Sequence, residues 1–259
     1  MTTTTTTAAA NIKKTSTRLW EIDALRGFAI VQMVFYHFVW DLNFFGLYQG
    51  NLFVGPWQWF ARTIATQFLF VSGIALTLSY QREIQKGETN LFFKYFLRGA
   101  KIFGWGLVIT LGTYLFIGRG FVIFGILHLI GFSIMMSYPF LRINRWLTLL
   151  AGLVMIVIGI AIHSVYVDYP WLIWLGLKQR GVAMVDYYPV LPYAGIALLG
   201  IFAGYSLYPN RFRIFSLPDW SANPLIAGLR FLGRHSLLIY LIHQPILIAI
   251  FFILGYGSF

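Results

Sequence analysis

Apolar residues run with few charges over seven stretches of about 18 residues or more, each long enough to cross a hydrocarbon core as a helix. They occupy 23–44, 57–80, 96–117, 121–140, 146–165, 188–208 and 231–254. A shorter apolar stretch, 169–177, is too brief to span and reads as a loop helix or a re-entrant piece. The pattern predicts an all-α fold, a polytopic transmembrane bundle of about seven helices. The third connection, at 118–120, is a tight turn, so the third and fourth helices should be antiparallel neighbours. The sixth connection holds Pro209, Pro218 and Pro224 and cannot be one continuous helix.

Composition supports this reading. Hydrophobic residues make up 59% of the chain and charged residues 10%, where a soluble domain carries about 25% charged residues. Aromatics at 19% suit helices with Trp and Tyr at both membrane interfaces. Seven spans use more than half of the 259 residues and leave no room for a second domain. Residues 18–259 therefore read as a single transmembrane domain. The Thr- and Ala-rich segment 1–17 lacks the apolar core of a signal peptide and reads as a disordered polar tail. With no cysteine, disulfides, thiolate metal sites and cysteine nucleophiles are excluded.

The formal charge of +11 could suggest nucleic acid, but the cations cluster in alternate connections instead of along one solvated face. One side holds Lys13, Lys14 and Arg18, then Arg82, Lys86, Lys94, Arg98 and Lys101, then Arg142 and Arg145, then Arg211, Arg213, Arg230 and Arg234. The other side holds only Arg119, Lys178 and Arg180. By the positive-inside rule the N-terminus lies in the cytoplasm, and an odd number of spans places the C-terminus outside.

Ionisable groups inside spans are costly and usually face a bundle interior or a wet cavity. The first span carries four: Asp23, Arg26, His37 and Asp41. At 100° per residue, with Arg26 at zero, His37 falls near about 20° and both aspartates near about 60°. All four share one narrow face. His37 lies roughly 16 Å along the axis from Arg26, near mid-membrane, and Asp41 lies one turn beyond. The face thus runs from a phosphate-binding cation to an acid/base group, followed by an anion placed to hold the imidazole in one tautomer. Two plainer readings stay open: Asp23 and Arg26 as a structural pair, and Asp41 as the neutraliser of Arg62.

In the last span, Ser236, Tyr240 and His243 fall within about 60° of one another. Arg234 sits at the level of Arg26, and the planar guanidinium forks of both suit the phosphates of CoA. His243 reaches the depth of His37 and reads as a second acid/base group or an interhelical partner. His128 reaches mid-depth in the fourth span and is a candidate for the same cavity. His163 reads as interfacial. Asp186, Tyr187 and Tyr188 lie outside, where an acceptor could dock. No His-x-x-x-His, acidic loop or cysteine pair is present, so no metal site is expected, and glycine-rich phosphate loops are also missing.

The segment 21–30, continuing through Phe35-Tyr36-His37, resembles the start of the acyltransferase-3 family, whose first helix carries Arg, ten residues, then His. More closely, the chain from about Arg18 to Phe252 resembles small bacterial members of the heparan-alpha-glucosaminide N-acetyltransferase catalytic-domain family. The supporting stretches are 70–73, 125–131, 186–192 and 233–245, in this order. The resemblance implies a membrane enzyme that moves an acyl group, acetyl first of all, from cytoplasmic acyl-CoA to a sugar-like or other hydroxyl or amine acceptor across the membrane. It implies no permanently bound cofactor, acetyl-CoA or another acyl-CoA as cosubstrate, and a bacterial plasma membrane location. Its implied partners are the lipid bilayer, acyl-CoA and a glycan or small-molecule acceptor, with a homo-oligomer as one option and no nucleic acid. Some family members place a catalytic His, followed by an Asp, in the loop before the second helix. Here 46–67 has neither, which shifts the catalytic role to His37, with Asp41 and His243 beside it and Arg26, Arg234, Asp23 and His128 on the cosubstrate. The alternatives are a transporter or flippase, and a non-catalytic membrane subunit.

Overall fold

The computed structural model describes residues 19–182 and 184–256; the expected tail at 1–17 lies outside them. Among the described residues the chain forms α1 (Trp20–Phe44), α2 (Gly55–Gln85), α3 (Phe92–Ile117), α4 (Ile126–Met136), α5 (Tyr138–Arg142), α6 (Arg145–Ile162), α7 (Val190–Leu207), α8 (Pro224–Arg234) and α9 (Ser236–Ile253). Short 3-10 turns occupy Pro170–Leu175 and Pro209–Arg211. Six of these helices (α1, α2, α3, α6, α7 and α9) are long and apolar enough to cross a membrane. Their outer faces carry exposed Leu111, Leu115, Phe116, Val157 and Ile160, which water would reject and lipid accepts. The protein is an all-helical integral membrane bundle.

Two of the expected spans are divided. The fourth begins only at Ile126, because Gly125 is extended and its N–H donates to His128 Nδ1 at 3.2 Å, while the Ile126 N–H donates to Asp186 Oδ2 at 3.1 Å. These bonds satisfy amides that a helix start leaves without partners. Pro139, which has no N–H to offer the ladder, then separates α4 from α5. The seventh is broken at His235, whose N–H is shared between the carbonyls of Phe231 and Leu232. The Asn223 side chain caps the start of α8 by accepting from the N–H groups of Leu225 and Ile226, and Pro224 follows at the first helical position.

The dominant helix pairs are α6 with α7, α2 with α7, α3 with α4 and α1 with α8. In each pair glycine lets backbones touch: Gly152 with Gly195, Gly73 with Gly200, Gly99 with Gly131, and Gly27 and Gly233 across α1 and α8. Apolar burial gains little between helices in lipid, so close van der Waals approach of small residues does the work. At the end where α1 starts, ion pairs tie the elements together. Arg213 donates twice to Glu21, at 2.7 and 2.9 Å, and Glu83 holds Lys94 at 2.7 Å and Lys86 at 3.0 Å.

Candidate functional site

The polar face of α1 packs on α8 and α9. Near its start, Arg234 Nε donates to Asp23 Oδ2 at 3.4 Å, and Asp23 is buried. Half-buried Arg26 lies one turn further along. Deeper, the His37 and His243 rings meet edge to face with centroids 4.7 Å apart. One turn on, fully buried Asp41 accepts from Gln244 Nε2 at 2.6 Å through one carboxylate oxygen. The end of α8 thus meets Asp23, and α9 meets His37 and Asp41.

The hydrogen bonds assign the tautomers. His37 Nδ1 lies 2.9 Å from the Met33 carbonyl, and a carbonyl only accepts, so Nδ1 carries the proton and Nε2 keeps its lone pair. His243 Nδ1 likewise donates to the Tyr240 carbonyl at 2.7 Å. The orienting role expected of Asp41 toward His37 is thus filled by a backbone carbonyl four residues earlier, and Asp41 engages Gln244. His128 is used on both nitrogens. Nδ1 accepts from Gly125, so Nε2 is the donor to Thr110 Oγ1 at 3.3 Å, and the ring sits between Phe103 and Phe124.

A cavity of about 550 Å³ lies at the end of the bundle where α2, α4 and α7 begin. That is within the range of about 300–1,000 Å³ common for small-molecule sites. Met33, Tyr36 and His37 from α1, Arg62 from α2, Tyr240 from α9, Lys178, and residues 184–189 and 191–193 line it. Of the seven residues that the sequence offered as catalytic or cosubstrate-binding, His37 lines this cavity, whereas Asp23, Arg26, Asp41, His128, Arg234 and His243 stand outside its lining; Tyr240, which shares the face of His243 in the last span, and His163 line it too. Ile30 and Met33, between Arg26 and His37 on α1, pack with Ile64, Ile239 and Tyr240 and close the inner end.

Residues that helical phase did not single out complete the lining. Asp186, in the connection before α7, is half-buried and accepts the first amide of α4. Burial raises its carboxyl from 3.8 to about 6, against the opposing pull of the Ile126 N–H. Tyr187 donates to the Ile173 carbonyl at 2.8 Å, and burial, then Tyr193, pushes its phenol to about 12. Tyr188 donates to the Ala61 carbonyl at 3.2 Å, and burial, then Asp186 beside it, raises its phenol well above the ordinary value. Both tyrosines therefore stay protonated and act as hydrogen-bonding walls, not bases. The sequence offered Asp186, Tyr187 and Tyr188 as a place where an acceptor could dock, within the Asp-Tyr-Tyr-Pro run at 186–189.

Asp186 gives a stability prediction. The folded protein holds this proton up to about pH 6, while the unfolded chain releases it near 3.8. The contribution is therefore full below pH 3.8 and falls as pH rises to about 6. Asp186→Asn keeps an acceptor for Ile126 and removes the ionisation. Thermal unfolding in detergent should show the variant matching the parent near pH 4 and exceeding it at pH 8. After a discount for partial exposure, the gain is about 1–2 kcal/mol. A variant less stable than the parent at pH 8 would mean that the ionised carboxylate binds α4 with net gain.

These features define a class: a polytopic helical membrane protein whose interhelical seam delivers one histidine to a polar-rimmed cavity at one end of the bundle. The family model described as "Heparan-alpha-glucosaminide N-acetyltransferase, catalytic" matches residues 18–245. The chain belongs to that family of transferases. Comparison with curated proteins and with solved structures found no match.

Proposed function

We propose that this chain is an acyl-CoA-dependent membrane acetyltransferase. It accepts acetyl-CoA from the cytoplasm and delivers acetyl to a hydroxyl or amine of a sugar-like acceptor in the cavity on the far side. The observation that supports this most is His37, which meets the cavity with Nδ1 committed to a carbonyl and Nε2 left as the basic atom. As the acceptor oxygen or nitrogen bonds to the acyl carbon, Nε2 takes its proton, the C–S bond breaks, and the thiolate leaves to be protonated. His243 supports the imidazole from behind, and buried Asp41 fixes the neighbouring turn through Gln244.

Arg26 and Arg234, at the cation-rich end beside Asp23, take the CoA phosphates in this reading. The pantetheine arm then rises toward His37 once the Ile30–Met33 layer parts. The cation bias supports a cytoplasmic position for that end, and in this reading the protein sits in a bacterial plasma membrane. The test uses oriented vesicles holding purified protein and labelled acetyl-CoA. Label should reach acceptors only when acetyl-CoA meets the face bearing Arg234. Transfer supported only from the opposite face would overturn the orientation, and no transfer to any glycan or lipid would overturn the enzyme reading.

A further inference from the structure

Two cations that line the cavity form no ion pair among the described residues. Arg62, half-buried on α2, rests over the Trp59 ring at 5.5 Å, and half-buried Lys178 donates to His163 Nε2 at 3.3 Å. Among the described residues neither forms an ion pair, although both line the same cavity as His37. The acid in the same lining, Asp186, gives one carboxylate oxygen to the α4 amide and forms an ion pair with neither cation. The position of Lys178 is built, not incidental: its N–H donates to the Val165 carbonyl at 3.1 Å and its carbonyl accepts from Val167 at 2.8 Å. These bonds pin the loop beside the end of α6. The connections on this side of the bundle carry few other cations, Arg119 and Arg180, so a pair inside a cavity is not part of the general cation bias.

We propose that Arg62 and Lys178 bind a phosphate carried by the acceptor, which makes the acceptor a phosphorylated molecule whose hydroxyl or amine reaches His37. Two full positive charges match the nearly doubly negative phosphate monoester, whereas a carboxylate is satisfied by one guanidinium fork. Arg62 supplies the planar donor fork, Lys178 the point charge, and His163 holds the ammonium in place as a neutral acceptor. Arg62, Lys178 and His37 line one cavity of about 550 Å³, so a single small ligand can meet the cations with its phosphate and the imidazole with its reacting group. The inference rests on the acetyltransferase reading only for the direction of the reacting group; the anion site stands on its own geometry.

Binding is measured by calorimetry on the purified full chain in neutral detergent, apart from any acyl transfer. The probes are glucose 6-phosphate, glucose, a short-chain phosphatidic acid and CoA. Glucose 6-phosphate or the phosphatidic acid should bind at least about tenfold tighter than glucose, weakening as salt rises. Which of the two binds tells a soluble sugar phosphate from a lipid headgroup. Arg62→Gln and Lys178→Gln should each remove that preference, and Arg119→Gln, an exposed cation at the same end outside the cavity, should leave it intact. Equal binding of phosphorylated and neutral probes overturns the proposal, as does a preference that survives both substitutions. Binding of CoA alone, lost in both variants, also overturns it by giving the cations to the donor. A wild type that binds phosphate but transfers no acetyl would sink the enzyme reading instead.

Discussion

His37→Gln is expected to lower acetyl transfer by about 10²- to 10⁴-fold, the usual contribution of a positioned general base. Glutamine keeps most of the imidazole volume and can still bond the Met33 carbonyl, so packing against His243 changes little. What disappears is the lone pair on Nε2, the basic atom that α1 brings to the cavity. Turnover of labelled acetyl-CoA is the measurement, with thermal unfolding alongside to show that the variant folds. Because the loss lies in proton transfer, kcat should fall while acetyl-CoA binding stays near the parent value. His243→Gln should cost less, since that ring stands behind His37. A folded His37→Gln protein with full turnover would remove imidazole base catalysis from this protein altogether.

Gly27→Ala should be, with Gly233→Ala, among the most damaging single methyls that can be added to the bundle. An added Cβ at Gly27 would lie 1.8 Å from the Leu229 carbonyl oxygen, and one at Gly233 would lie 1.8 Å from the Asp23 carbonyl oxygen. The obstruction is backbone on both sides, so no side chain can swing away and the helices themselves must part. Overpacking costs about 1–3 kcal/mol where neighbours can adjust; here the expected loss is above about 3 kcal/mol. Parting α1 from α8 also pulls Arg234 from Asp23. Gly104→Ala is the matched control, since nothing lies within 4 Å of an added Cβ there, and alanine is the better helix former by about 1 kcal/mol. The two variants should shift thermal unfolding in opposite directions. Equal behaviour would mean that the α1–α8 contact adds nothing to stability.

Much of the architecture was legible because membrane insertion is a local property. Each apolar run reports its own transfer from water to lipid, so α1, α2, α3, α6, α7 and α9 fall within a few residues of the expected spans. The divisions at Gly125 and Ser137 were not legible, because the first depends on a partner distant in sequence and the second on one missing N–H; the break at His235 carries no proline or glycine at that position to mark it. Asp186 reaches back sixty residues to start α4. Pro139 stops the same helix by what it lacks.

The sequence by itself determined that this is a membrane bundle of a known transferase family, and that Asp23, Arg26, His37 and Asp41 ride one helical face. Helical phase follows from local backbone geometry, so it can be counted along the chain. Only the tertiary structure decided what that face meets: Arg234 for Asp23, His243 for His37 and Gln244 for Asp41. It alone separated His37, which reaches the cavity, from His128, which caps a helix, and it alone gathered Arg62, Lys178 and Asp186 around the same space. Such choices are made by glycine contacts between helices far apart in sequence, where backbones approach as closely as the missing Cβ atoms allow.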